Sequence, residues 1–190
     1  MRSIRYGLLG LLEQQSDHGY RLWQRFEDGV GQVWQLNVGQ VYQTLPTLAE
    51  AGLVDVFEEN DPDKPGTRRR RFEITAKGKK ALSNWSKRTP VSIEPTRDGM
   101  LVLLLVVAEA HPDIARSQIA SKERTYRQHL VRLRRRQRKI AKSDRPDIIV
   151  PLLSIDFAIL RTKAYLTWLE RCRLLLDSGD IGTVWPQEDD

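Results

Sequence analysis

Cysteine is almost absent. The 190 residues hold one, Cys172, so no disulfide framework can form within the chain, in keeping with a reducing, cytoplasmic setting. His18, His111 and His129 fall in separate segments without ligand spacing, and no metal site is expected. A glycine-rich phosphate loop and a G-x-S-x-G elbow are both missing, and the carboxylates are scattered, so neither a catalytic residue nor a cofactor is expected. Long apolar runs are missing too. The most apolar stretch, Met100 to Ala108, has about half the length needed to span a bilayer and is read as a buried helix, so no membrane contact is expected. Arg2 and Arg5 precede only a short leucine-rich run that Glu13 ends, which gives no export signal.

What is present is charge, unevenly placed. The net charge is +6, and residues 91–142 alone carry 12 basic against 5 acidic side chains, whereas residues 143–190 carry 5 against 9. A basic excess confined to the first three-quarters of a chain favours a polyanionic partner such as nucleic acid.

Asn37 to Val54 organises the first half. Asn37 is a good N-cap, Val41, Leu45 and Leu48 recur at helical spacing, and Gly52 supplies the stop. Gln40, Gln43, Thr44 and Thr47 project away from that apolar stripe. An uncharged amide and hydroxyl face is suited to reading base edges in a DNA major groove without binding every phosphate alike. On this stretch alone an ordinary surface helix remains open.

Two helices are expected before it, at 3–15 and from Tyr20 to about Val30, separated by the turn Ser16 to Gly19. Gly7 and Gly10 are expected to let a neighbouring helix approach the first. Strands are expected at 53–58 and 67–75 around a loop dense in Asp, Pro and Gly. Three short helices followed by a β-hairpin form a winged helix-turn-helix. Arg68 to Arg71 run along the second strand, where they serve either to meet a phosphate backbone or to form a solvated, charged sheet edge. Thr75 caps a fourth helix, 76–87.

The motifs His18-Gly-Tyr20, Val38-Gly-Gln-Val-Tyr-Gln-Thr-Leu45, Leu48-x-x-x-Gly-Leu53 and Arg71-Phe-Glu-Ile-Thr-Ala-Lys-Gly78 resemble the PadR family of transcriptional regulators, in order and spacing, over residues 4–85. Beyond residue 90 the chain is similar in length and character to that family's longer, helical C-terminal type. The resemblance implies a homodimeric, DNA-binding repressor on a pseudo-palindromic double-stranded operator, released by a small-molecule or protein signal. One departure stands out. The family places proline directly after the tyrosine of the recognition helix, where this chain has Gln43, with Pro46 three places on. Pro46 crowds the carbonyl of Tyr42, and a kink or local break is expected there.

The architecture expected is mainly α with a small β-hairpin wing, organised as residues 1–88 (DNA-binding), 97–178 (helical dimerisation) and 179–190 (acidic tail), with a proline-containing linker at 89–99. A helix at about 113–142 carries Ile119, Tyr126, Leu130, Leu133 and Ile140, which with Glu123 and Gln137 in two polar slots fit alternating steps of three and four, and its arginine-rich outer face is read chiefly as solvated. The last helix, about 147–178, has two apolar seams. The first, Leu152, Ile155, Ile159, Leu166, Leu169 and Leu176, is assigned to the dimer contact, because one neighbour cannot cover both. Expected DNA contacts are Tyr20, Asn37, Gly39, Gln40, Tyr42, Gln43, Thr44 and Thr47, with Lys64, Arg68 and Arg69 on the wing. Phe157, Tyr165 and Trp168 are candidates for a pocket taking a small aromatic or cationic ligand. The reading kept beside this one is a winged-helix module that docks protein or RNA without operator specificity.

Overall fold

The computed structural model describes residues 2–60, 66, 68–87, 98–144, 146–179 and 182. The expected linker as far as residue 97, Lys64 and most of the acidic tail lie outside them. The chain forms two compact units, residues 1–92 and 93–190.

In the first unit α1 (Arg2–Gln14), α2 (Gly19–Val30) and α3 (Val38–Glu50) are followed by β2 (Val54–Asn60), β3 (Arg68–Ile74) and α4 (Ala76–Ser86), while β1 (Asp17–His18) lies between α1 and α2. Leu8, Leu9, Leu22, Val41, Leu45 and Leu48 are fully buried in one core, to which Phe72, Ile74 and Leu82 contribute from the sheet and α4. Gly7 fits the expected close approach, since an added Cβ would lie 2.9 Å from Phe26 Cε2, whereas Gly10 faces open space. Gly78 has a stronger reason to be glycine: a Cβ there would collide with the Leu53 carbonyl, where α4 crosses the turn after α3.

The expected turn at Ser16 to Gly19 is partly a strand. Asp17 and His18 pair with Phe72 and Arg71, so the wing is the outer part of a three-stranded antiparallel sheet in the order β1-β3-β2. The buried Asp17 carboxylate accepts from the His18 N–H (2.9 Å) and faces Arg25 at 3.7 Å. Arg25 in turn donates to the carbonyls of Leu11, which also accepts from the Gln15 N–H, and of Gln15, just past the end of α1.

The second unit consists of α5 (Gly99–Val107), α6 (Pro112–Ala141) and α7 (Ile149–Ser178). The Asp98 side chain caps α5 by accepting from the Met100 N–H (2.7 Å). Helices α6 and α7 form an antiparallel hairpin. At one end Arg116 ties them, donating to Asp113, Asp177 and the Leu176 carbonyl. Ile119, Leu133, Ile155 and Leu169 are completely buried along it.

Two expectations change here. Helix α5 is not a buried helix: only Met100 is buried, and Leu101, Val102, Leu105 and Val106 are exposed. The seam of α7 assigned to a partner is used within the chain itself. Ile155, Ile159 and Leu169 are buried and Leu152, Leu166 and Leu176 half-buried, while the other seam is exposed at Leu153, Phe157, Leu160 and Ala164 and half-buried at Trp168 and Leu175. Both seams are apolar, so spacing did not distinguish which would meet α6.

Candidate nucleic-acid interface

Helix α3 begins with a full capping box. Asn37 Oδ1 accepts from the Gly39 N–H (2.8 Å), and Gln40 Oε1 accepts from the Asn37 N–H (3.0 Å). The first turn is therefore held before any ligand arrives. Val41, Leu45 and Leu48 anchor the helix in the core, leaving Gly39, Gln40, Tyr42, Gln43, Pro46 and Thr47 exposed and Thr44 half-buried. The helix is not broken at Pro46. Pro46 sits on the exposed side, where the Tyr42 carbonyl it deprives of an N–H meets solvent rather than core.

The hydroxyls of this face are turned inward. Thr44 Oγ1 donates to the Gln40 carbonyl and Thr47 Oγ1 to the Thr44 carbonyl, each at 2.7 Å. Tyr20 and Tyr42 are both more than half exposed. Gly19 lets the second of them lie close to the start of α2, since an added Cβ would come within 3.0 Å of the Tyr42 ring.

The wing arginines divide into two kinds. Arg71 is an internal tie: its Nε donates to Glu59 (2.5 Å), its Nη1 to Ser16 (3.0 Å) and Glu73 (3.3 Å), and its guanidinium lies 4.9 Å from the Phe57 ring centre. The hydrogen bond from Arg71 holds the Glu59 carboxyl below its ordinary pKa. Arg68, Arg69 and Arg70 instead line a cleft of about 410 Å³ with His18, Tyr42 and Pro46. Arg68 also pairs with Glu58 at 2.9 Å, but the pair is exposed and screened. Arg70 was not among the expected contacts, although it shares the strand face of Arg68 at a spacing of two. The structure thus brings Tyr42 and Pro46, from the middle of α3, and three arginines to one cleft, while Gln40, Gln43, Thr44 and Thr47 do not line it.

In the second unit Tyr165 and Trp168 do line a cavity, of about 500 Å³, but the exposed Phe157 does not. The Tyr126 and Tyr165 rings stack at 4.3 Å, and Asp98, His129 and Arg161 complete the walls. Burial, then the Asp98 carboxylate, holds the Tyr165 hydroxyl protonated far above the usual phenol range. Burial and the nearby Arg132 and Arg161 lower the pKa of His129. Aromatic faces between a carboxylate and a guanidinium suit a flat, polar-ended molecule, and no local pattern marks Asp98 or Arg161 for such a role. Among the described residues no cluster could hold a metal ion, and no helix is long and apolar enough to cross a membrane.

Residues 8–84 match the transcriptional regulator PadR-like family, and residues 96–177 match the virulence activator alpha C-terminal family. The first unit therefore carries a PadR-like domain over residues 8–84. It is 24% identical to the negative transcriptional regulator PadR of Bacillus subtilis over 93% of this chain and 99% of that one. It is also similar to the crystal structure of that PadR in complex with operator DNA (TM-score 0.80, 23% identity, 92% of this chain and 98% of the other). The structure of the same PadR with p-coumaric acid is similar as well (TM-score 0.75, 22% identity, 92% and 99%).

Proposed function

We propose that this protein is a PadR-like regulator, a homodimeric, sequence-specific DNA-binding repressor that a small aromatic ligand releases. The observation that carries this reading is the cleft itself. A pre-capped helix with an uncharged outer face stands beside Arg68, Arg69 and Arg70, so base edges and backbone can be met together. Gln40, Gln43, Thr44 and Thr47 face the bases, with Asn37 and Gly39 at the helix start. Tyr20, Tyr42, Arg68, Arg69 and Arg70 position the backbone, and Lys64, outside the described residues, is kept as a further backbone contact. In a dimer the two α3 helices enter successive major grooves, about 34 Å apart, on a pseudo-palindromic site.

The partner copy covers the exposed apolar residues of the second unit, Leu153, Phe157 and Leu160 on α7 and Leu101, Leu105 and Val106 on α5. The inducer occupies the cavity at Tyr126, Tyr165 and Trp168, its ring against theirs and its polar ends toward Asp98 and Arg161. That the Bacillus subtilis relative has been crystallised with operator DNA and with p-coumaric acid supports both halves of this reading.

The test is an electrophoretic shift with duplex from upstream of the protein's own gene, in the presence of unrelated competitor. A saturable shift that resists competitor and weakens steeply with salt is expected, as is its reversal by aromatic acids that also quench the fluorescence of Trp168. A protein that gives no saturable shift at low salt is instead a protein- or RNA-docking module.

A further inference from the structure

We infer that Gln43 is the specificity-determining side chain of α3, and that the base it selects is adenine, read on its major-groove edge. This rests on the DNA-binding reading above and adds to it which residue discriminates and what it chooses.

The first argument is position. At about 100° per residue, Gln43 lies roughly opposite Val41, Leu45 and Leu48, the three side chains that fix α3 in the core. It therefore stands at the crest of the exposed face, whereas Thr44 is half-buried on the flank. Of its four neighbours one turn away, Gly39 has no side chain and Pro46 carries no polar side-chain atom, while Gln40 and Thr47 each hydrogen-bond within the helix or its cap.

The second argument is hydrogen-bonding capacity. Selecting one base pair through the major groove takes a side chain that offers a donor and an acceptor together, as a Gln amide does to adenine N6 and N7. Gln40 has committed its acceptor to the Asn37 N–H in the capping box. Thr44 and Thr47 have committed their protons to their own helix. Gln43 is exposed and makes no hydrogen bond with the described residues, so both halves of its amide are available. Tyr42 offers a single hydroxyl and cannot make the paired contact.

The third argument is electrostatic. Arg68, Arg69 and Arg70 flank the cleft but stand on β3, beside α3 rather than on its crest, so their charge attracts the backbone without naming a base.

The experiment is selection of binding sites from randomised duplexes by the full chain and by its Gln43→Ala and Gln43→Arg variants, each first shown to keep the parent's melting temperature. The parent is expected to select adenine at one position in each half-site. Gln43→Ala should lose about 5- to 150-fold discrimination at that position and at no other. Gln43→Arg should move the preference there to guanine, which a guanidinium reads through O6 and N7. A Gln43→Ala matrix identical to the parent's, or a Gln43→Arg variant that changes no position, overturns the assignment to Gln43 while leaving DNA binding intact. A parent chain that enriches no sequence overturns the DNA-reading proposal itself, and this inference with it.

Discussion

The two units treat their apolar residues in opposite ways. The first gathers Ile4, Leu8, Leu9, Leu22, Phe26, Val41, Leu45, Leu48, Phe72 and Ile74 into one closed core, and the large apolar side chains it exposes are mostly aromatic: Tyr20, Trp34, Tyr42, Phe57 and Trp85, with Val56. The second covers one seam of α7 with α6 and leaves Leu153, Phe157 and Leu160 of the other seam, together with most of α5, exposed to water. Leu105 is 87% exposed and Leu153 66%, figures expected of lysine rather than leucine. Contiguous exposed apolar surface of this kind marks an interaction site. A reader of DNA has to keep its reading face fixed, which a closed core achieves. A half-covered hairpin is suited to completion by a second copy of itself.

A matched pair of substitutions breaks that comparison most sharply. Leu45→Ala removes a fully buried side chain beneath α3 and should cost about 2–5 kcal/mol, a large part of the roughly 5–15 kcal/mol that holds a domain folded. Its mark is a lower melting temperature and loss of all DNA binding. Phe157→Asp on α7 should leave the helix content and the melting of the first unit unchanged, because Phe157 is exposed. It should shift the sedimentation coefficient from dimer to monomer and weaken operator binding at least tenfold, since the two half-sites are then no longer bound together. Should Phe157→Asp sediment as the parent does, the second seam is not the contact.

How far the chain could be read before its structure follows the same division. The ends of α3 and α4 were legible because Asn37 and Thr75 cap locally, within three residues of the N–H groups they satisfy. The core face of α3 was legible because Val41, Leu45 and Leu48 alternate with polar neighbours. Strand β1 was not, since two residues have no period and their partners Arg71 and Phe72 lie more than fifty positions away. Nor was the internal tie of Arg71, which four consecutive arginines conceal until the register sets it opposite Phe57 and turns it toward Glu59 and Ser16. In α7 both seams carry the same residue types at the same spacing, and only packing against α6 separates them. The Tyr165 cavity fails for a related reason: aromatics at helical spacing read as core until Asp98 and Arg161 are seen in its walls.

A finer probe of the first unit is the cap of its reading helix. Asn37→Ala removes the acceptor for the Gly39 N–H and one arm of the capping box. The expected cost is about 1 kcal/mol. The substitution should lower the melting temperature of the first unit by a few degrees and leave the self-association of the second untouched. Operator affinity should fall more than the melting shift alone explains, because the capped turn carries Gln40 and leads directly into Gln43. Denaturant melts and binding isotherms on one sample separate the two effects.

The smallest expected effect is electrostatic and lies at the root of the wing. The hydrogen bond from Arg71, aided by the charges of Arg71, His18 and Arg69, lowers the pKa of Glu59 in the folded protein, against the weaker opposing influence of burial. A carboxyl whose folded pKa is depressed stabilises the fold above its unfolded value of 4.5, and that contribution disappears as the pH falls through the folded value. The first unit should therefore lose a little stability between neutral pH and the acid side of 4.5, and Glu59→Gln should flatten that slope without altering melting of the second unit. Because Glu59 and Arg71 are both in reach of solvent, salt should reduce the difference further. A Glu59→Gln variant whose melting temperature follows the parent's at every pH would mean that the tie from Arg71 to the wing depends on Ser16 and the Phe57 ring rather than on the ion pair.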